Sequence, residues 1–80
     1  MIKAQIFHNE YNNKFMVSIN VDKEVQLIGT HKKAGDAMIS VLHLHKEIPM
    51  LKIILDRTTA RKLGSIPGGA NYDIEVYEEI

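Results

Sequence analysis

The strongest constraint on this chain is a change in the spacing of its apolar residues near residue 30. Before that point apolar and polar residues alternate, as in Ile2, Ala4 and Ile6, and a period of two is typical of a strand with one buried face. After it, apolar residues recur every three or four positions, which is typical of an amphipathic helix. The chain therefore has to combine a sheet with at least one helix.

The alternating part predicts three antiparallel strands. Their apolar positions are Ile2, Ala4 and Ile6, then Phe15, Val17, Ile19 and Val21, then Val25 and Leu27. Polar turns at 8–13 and 22–23 separate the three runs. Because the alternation continues through all three runs, we expect a meander whose apolar residues share one face of the sheet.

The segment after residue 30 predicts a helix with one apolar side. That side consists of Ala34, Ala37, Met38, Val41, Leu42, His45 and Ile48. Thr30 belongs to a residue type that caps helix starts, so we expect it to be the N-cap. Pro49 ends the helix, because the residue before a proline is pushed out of the helical conformation.

The remaining residues predict a strand, a short helix and a last strand. The apolar run at 50–55 indicates a strand buried on both faces. Asp56 is a suitable cap for a helix from Arg57 to Leu63, and Gly64 is a suitable residue to end it. Apolar and acidic residues alternate again between 72 and 77, which predicts the last strand.

These elements predict an α+β fold in the order β-β-β-α-β-α-β. Eighty residues supply one core and are too few for two, so we expect a single α+β domain over residues 1–80. The expected architecture is a five-stranded, mainly antiparallel sheet with a helix packed on one face.

The composition narrows the chemistry further. The chain has no cysteine, which excludes disulfides, thiolate zinc sites and cysteine nucleophiles. Ten basic residues balance ten acidic ones, whereas nucleic-acid binders usually carry a basic excess. There is no apolar run of about 18 residues for a membrane span and no signal-peptide pattern. We therefore expect a cytoplasmic protein without membrane contact.

The four histidines are the residues that most resemble a metal or catalytic site. His43 and His45 point in nearly opposite directions on a helix, because each residue turns it by about 100°. His31 and His45 lie about 21 Å apart along the helix axis at the usual rise per residue. No serine lies in a Gly-x-Ser-x-Gly motif. We predict no metal, no cofactor and no catalytic residue.

The most distinctive local feature is the basic segment from Arg57 to Gly69. Together with the last strand it supplies our candidate ligand or partner contacts: Arg57, Arg61, Lys62, Gly68, Gly69 and Tyr77. Arginines bind phosphate well, glycines let a backbone approach a ligand closely, and tyrosines are enriched at interfaces. The same basic residues are equally typical of a helix face exposed to solvent. Asp56 at the helix start also counts against phosphate binding, because its carboxylate repels anions.

The last strand and the residues after it carry negative charges that complement the basic segment. Asp73 and Glu75, with Glu78 and Glu79 after them, carry most of the negative charge of the C-terminal third. The two sets of charges are able to meet within the domain or across a subunit interface, where complementary charge steers association.

Three hypotheses follow from these observations. The first is a small non-catalytic binding or regulatory protein that acts through a protein partner as a homodimer. The second is a protein that binds a nucleotide or nucleic acid through the helix and loop of the basic segment. The third is an enzyme that uses His31 or His45. Balanced charge, small size and the lack of a catalytic motif favour the first.

Overall fold

A computed structural model describes residues 2–64 and 72–77. Its elements are β1 (Ile2–Asn9), β2 (Lys14–Val21), β3 (Glu24–His31), α1 (Ala34–Glu47), β4 (Lys52–Asp56), α2 (Arg57–Leu63) and β5 (Asp73–Tyr77). The α+β class and the order β-β-β-α-β-α-β are confirmed. Among these residues no helix is both long enough and apolar enough to cross a membrane.

The five strands form one mixed sheet in the order β3-β2-β1-β4-β5. The pairs β1–β2 and β2–β3 are antiparallel, while β1–β4 and β4–β5 are parallel. The five-stranded sheet is as predicted, but only one half of it is antiparallel. The parallel half arises because a helix precedes β4 and another follows it, and a helical crossover returns the chain in the same direction.

Both helices cover one face of the sheet and contact each other. α1 packs against β1, β2 and β3, and α2 packs against β1, β4 and β5. The buried apolar residues between sheet and helices are Ala4, Ile6, Phe15, Val17, Ala34, Ala37, Met38, Val41, Leu51, Ile53 and Leu55. We call this side of the sheet the helix face and the other the open face.

The predicted helix cap at Thr30 is wrong. Thr30 lies in β3 opposite Met16, and its hydroxyl donates to the Met16 sulfur at 3.6 Å. α1 begins only at Ala34, and Lys33 is the N-cap without a side-chain hydrogen bond. The ladder with β2 therefore outweighs the local capping preference of threonine.

The prediction that Val25 and Leu27 share the apolar face is also wrong. The two-residue turn pairs Val21 with Glu24, which places Val25 opposite Asn20 and Leu27 opposite Ser18. Opposite residues of an antiparallel pair lie on the same face. Since Asn20 and Ser18 alternate with Val17 and Ile19, which lie opposite Ile6 and Ala4 on the helix face, Val25 and Leu27 lie on the open face.

β4 differs in part from the strand predicted at 50–55. It begins at Lys52, and Met50 is 89% exposed in the connection before it. Ile53 and Leu55 are buried against the helices, whereas Lys52 and Ile54 are only half-buried. The second face of this strand is therefore the open face of the sheet, and no helix packs on it among the described elements.

Candidate functional site

Asp56 fixes the start of α2, where three of the candidate contacts lie. Its Oδ1 accepts a hydrogen bond from the Thr59 backbone N–H at 2.8 Å, and its Oδ2 accepts one from the His8 backbone N–H at 2.7 Å. The predicted cap is confirmed, and Gly64 ends the helix with φ at 75°. With both oxygens bound, Asp56 joins α2 to β1.

The candidate contacts are exposed on this scaffold where the structure describes them. Arg57, Arg61 and Lys62 are exposed on α2. Tyr77 is 54% exposed at the end of β5, opposite Asp56 in the ladder, so Tyr77 and Arg57 occupy the same end of the sheet. Gly68 and Gly69 lie outside the described residues.

A cavity of about 420 Å³ brings Lys62 together with Lys32 and Lys33. Asn13, Phe15 and the first residues of α1, including Asp36, also line it. We call it the lysine cavity. Three ammonium groups against one carboxylate give it a positive potential. The sequence shows these lysines as two separate basic spots, and only the contact between α1 and α2 joins them.

Two of the histidines have packing roles within the domain. The His8 ring packs against Phe15 with ring centres 5.0 Å apart, and its Nε2 lies 2.8 Å from Asn13 Oδ1. His45 packs edge-on against Tyr72 at 4.8 Å. Within residues 2–64 and 72–77 no three acidic or histidine side chains are grouped to hold a metal ion.

One acidic residue of β5, Glu75, is paired with a lysine of β4. Glu75 Oε2 lies 2.8 Å from Lys52 Nζ across the two strands. The hydrogen bond between them, reinforced by their opposite charges, lowers the pKa of Glu75 and raises the pKa of Lys52. The basic partner that the structure gives Glu75 is thus Lys52 on the open face, a residue outside the basic segment.

The largest feature that the sequence interpretation missed is an apolar edge formed by β3 and the end of β2. We define the apolar edge as four exposed side chains, namely Val21 at the end of β2 with 44% exposure and, on β3, Val25 with 67%, Leu27 with 53% and Ile28 with 43%. A shallow cavity of about 360 Å³ runs along its start. Among the described strands β3 pairs only with β2, so its outer backbone groups face away from the sheet.

A β-bulge at Ile28 shapes this edge. Val17 pairs with Gly29 and Ser18 pairs with Leu27, so Ile28 is the extra residue on β3. The bulge shifts the alternation by one residue, so that Gly29 and His31 lie on the helix face, opposite Val17 and Phe15. The sequence does contain one clue to the apolar edge. The two-residue connection at 22–23 fixes the register of β3 against β2, and the register determines the face on which each residue of β3 lies.

An apolar groove lies close to the start of the apolar edge. Ile2, Glu47, Ile48, Pro49 and Met50 line a space of about 560 Å³, and Ile2 is the ladder partner of Val21. The groove therefore extends the apolar surface from β2 towards the end of α1. Comparison of the chain with protein-family models, curated proteins and solved structures finds no match.

Proposed function

We propose that this chain is a small non-catalytic binding protein that acts through a protein partner, works as a homodimer and uses the apolar edge as its contact surface. The supporting observation is three exposed apolar side chains, Val25, Leu27 and Ile28, on a strand whose outer side is open among the described strands, with Val21 exposed beside them at the end of β2. Burying one such side chain fully contributes about 1.5–3 kcal/mol.

The edge also provides main-chain hydrogen-bonding groups. An added strand gains affinity from the backbone ladder and specificity from the alternate side chains. Val25 and Leu27 are two residues apart and lie on one face, so a single added strand is able to cover both. A protein segment in extended conformation is the ligand class that satisfies both the apolar and the polar parts of this edge.

The test is a comparison of captured proteins. Leu27→Lys puts a charge at the centre of the apolar edge on an already exposed residue. Tyr11→Lys is the matched control, because Tyr11 is fully exposed in the turn after β1. We expect the wild type and Tyr11→Lys to retain the same protein partner from cells that produce the chain, and Leu27→Lys to lose it. Equal capture by all three baits contradicts the proposal.

The second candidate function that we propose is binding of a nucleotide or nucleic acid through its phosphate at the lysine cavity. The supporting observation is the meeting of Lys62 with Lys32 and Lys33. Isothermal titration with ATP and with single-stranded DNA tests it. On this hypothesis affinity falls steeply with salt and is lost in Lys62→Glu, while Lys23→Glu, at the opposite end of the sheet, binds as the wild type does. Titrations without heat in the wild type exclude this candidate.

A further inference from the structure

We propose that the apolar edge is covered by a second copy of this chain, whose β3 pairs with β3 of the first in antiparallel orientation about a two-fold axis. This inference rests on the proposed function and names the occupant of the same surface, because the outer side of β3 has room for one added strand; the partner retained through Leu27 is then expected to be this chain itself. The result is a continuous ten-stranded sheet with the two β3 strands at its centre.

The charges at the two ends of β3 determine the orientation. The segment Asp22-Lys23-Glu24, which holds the turn before β3 and its first residue, has a net charge of −1, and Lys32 and Lys33 follow the end of the strand. An antiparallel pair brings the acidic start of each strand to the basic end of the other, twice by symmetry. A parallel pair sets like charges against each other, which is unfavourable. An isologous contact has to be self-complementary, and β3 meets that requirement in charge.

The bulge determines the register. In the register that overlaps all eight residues, Glu24 lies opposite the partner's His31 and Val25 opposite the partner's Thr30. Opposite residues have to share a face, yet seven positions separate Glu24 from His31, an odd number that puts them on different faces of a regular strand. The extra residue Ile28 corrects the parity, since Glu24 and His31 both lie on the helix face, opposite Val21 and Phe15.

The same register pairs the other side chains by type. On the open face Val25 contacts the partner's Thr30, and Leu27 lies beside the partner's Ile28 near the two-fold axis. On the helix face Gln26 lies opposite the partner's Gly29. Gly29 already has little room, because a Cβ there comes within 3.2 Å of His31 Nε2, so a residue without a side chain suits the position facing Gln26.

A cysteine pair tests the register directly, because the chain has no cysteine of its own. Directly opposite residues have Cα atoms about 4.5–5.5 Å apart, which is within the range of a disulfide. Val25→Cys lies about 13 Å along the strand from its own symmetry copy, because the bulge at Ile28 reduces the offset to four ladder positions. Thr30→Cys is equally far from its own copy. We expect an equimolar mixture of the two variants, one of them isotopically labelled, to form the mixed disulfide on mild oxidation.

The control for random collision is Tyr11→Cys, which lies in an exposed turn away from β3. We expect the mixed disulfide to exceed the Tyr11→Cys homodisulfide by about tenfold, as the effective concentration within a dimer predicts. Mixed and symmetric disulfides in equal amounts, or none above the control, overturn the pairing. Mass spectrometry separates the products, and circular dichroism confirms that each variant is folded.

Sedimentation equilibrium supplies a second measurement that needs no cysteine. The wild type and Tyr11→Lys are expected to be dimers, and Leu27→Lys a monomer. If the wild type is a monomer while Leu27→Lys still loses its captured protein, the two-fold dimer is wrong and binding to another protein through the apolar edge stands. If the dimer forms with the predicted mixed disulfide but Leu27→Lys loses no other captured protein, the dimer is supported and binding of a different protein through the apolar edge is contradicted.

Discussion

The two edge strands of this sheet present opposite surfaces. β3 has eight residues and no charged side chain from Val25 to Thr30, whereas β5 has five residues and carries Asp73 and Glu75. Both edges expose apolar groups, since Val76 and Tyr77 of β5 are also exposed. Short length, charge and β-bulges are devices by which proteins discourage pairing at an edge. β5 has the first two, whereas β3 has only the bulge at Ile28, so β3 is the less protected of the two edges.

The two edges also differ in how they are supported. β5 is joined to β4 by a parallel ladder and to the charge of Lys52 through Glu75. β3 is joined to β2 by an antiparallel ladder that the bulge interrupts at Ile28. An ion pair on the open face thus supports β5. The exposed apolar side chains of β3, in contrast, would lower the free energy if they were buried. Four predictions test this contrast.

The largest effect is expected from the core beneath both edges. Leu55 is fully buried in β4, and Leu55→Ala removes its contacts and leaves a cavity, at a cost of about 2–5 kcal/mol in unfolding free energy. Chemical denaturation measures this change. Backbone hydrogen exchange should then become faster in both β3 and β5. Faster exchange in only one of the two strands contradicts the idea that one core supports both edges.

A smaller and one-sided effect is expected from Asp56. Asp56→Ala removes the acceptor of the Thr59 and His8 backbone N–H groups, at a cost of about 1–3 kcal/mol for buried donors left unpaired. Asp56→Asn keeps an acceptor oxygen and serves as the control. Hydrogen exchange should increase in α2 and at its contact with β5, with β3 unchanged, and equal loss at both edges argues against the one-sided role.

The third prediction reverses the contrast at β5. Asp73→Thr combined with Glu75→Val removes the acidic side chains from an exposed strand, so the unfolding free energy should change by only about 0.5 kcal/mol for surface positions. Association should increase, because a second edge then lacks its charges. Light scattering that shows species larger than those of the wild type supports this explanation, and an unchanged mass shows that charge does not protect β5.

The smallest effect is expected from the pair between Glu75 and Lys52. The folded state lowers the pKa of Glu75 from its ordinary value of 4.5, so its contribution to stability is present above that pH and is lost as the pH falls through the folded pKa. Glu75→Gln should therefore have a slightly lower melting temperature than the wild type at pH 7, and the difference should shrink as the pH falls below 4.5 and vanish once Glu75 is protonated in the folded state. A difference that persists in acid contradicts the ionic origin.

Local features were predictable from the sequence, and pairing features were not. The bounds of α2 were predicted correctly, because Asp56 and Gly64 act within a few residues of the helix they delimit. Thr30 was assigned wrongly, because its capping preference competes with a ladder partner 14 positions earlier in the chain. The candidate contacts Arg57, Arg61 and Lys62 were placed correctly on a helix, but their neighbours Lys32 and Lys33 depend on the packing of α1 against α2.

The sequence by itself determined the order of the elements and the residues of the core, because period and capping are local properties of the chain. Only the tertiary structure decided which side chains the two edge strands, β3 and β5, expose. The face on which Val25 and Leu27 lie depends on the register of the turn before β3. The bulge at Ile28 depends on the ladder between β2 and β3. β3 lies at an edge because β4 pairs with β1. Each of these is a pairing between distant segments, and pairing energies are absent from any single segment read alone.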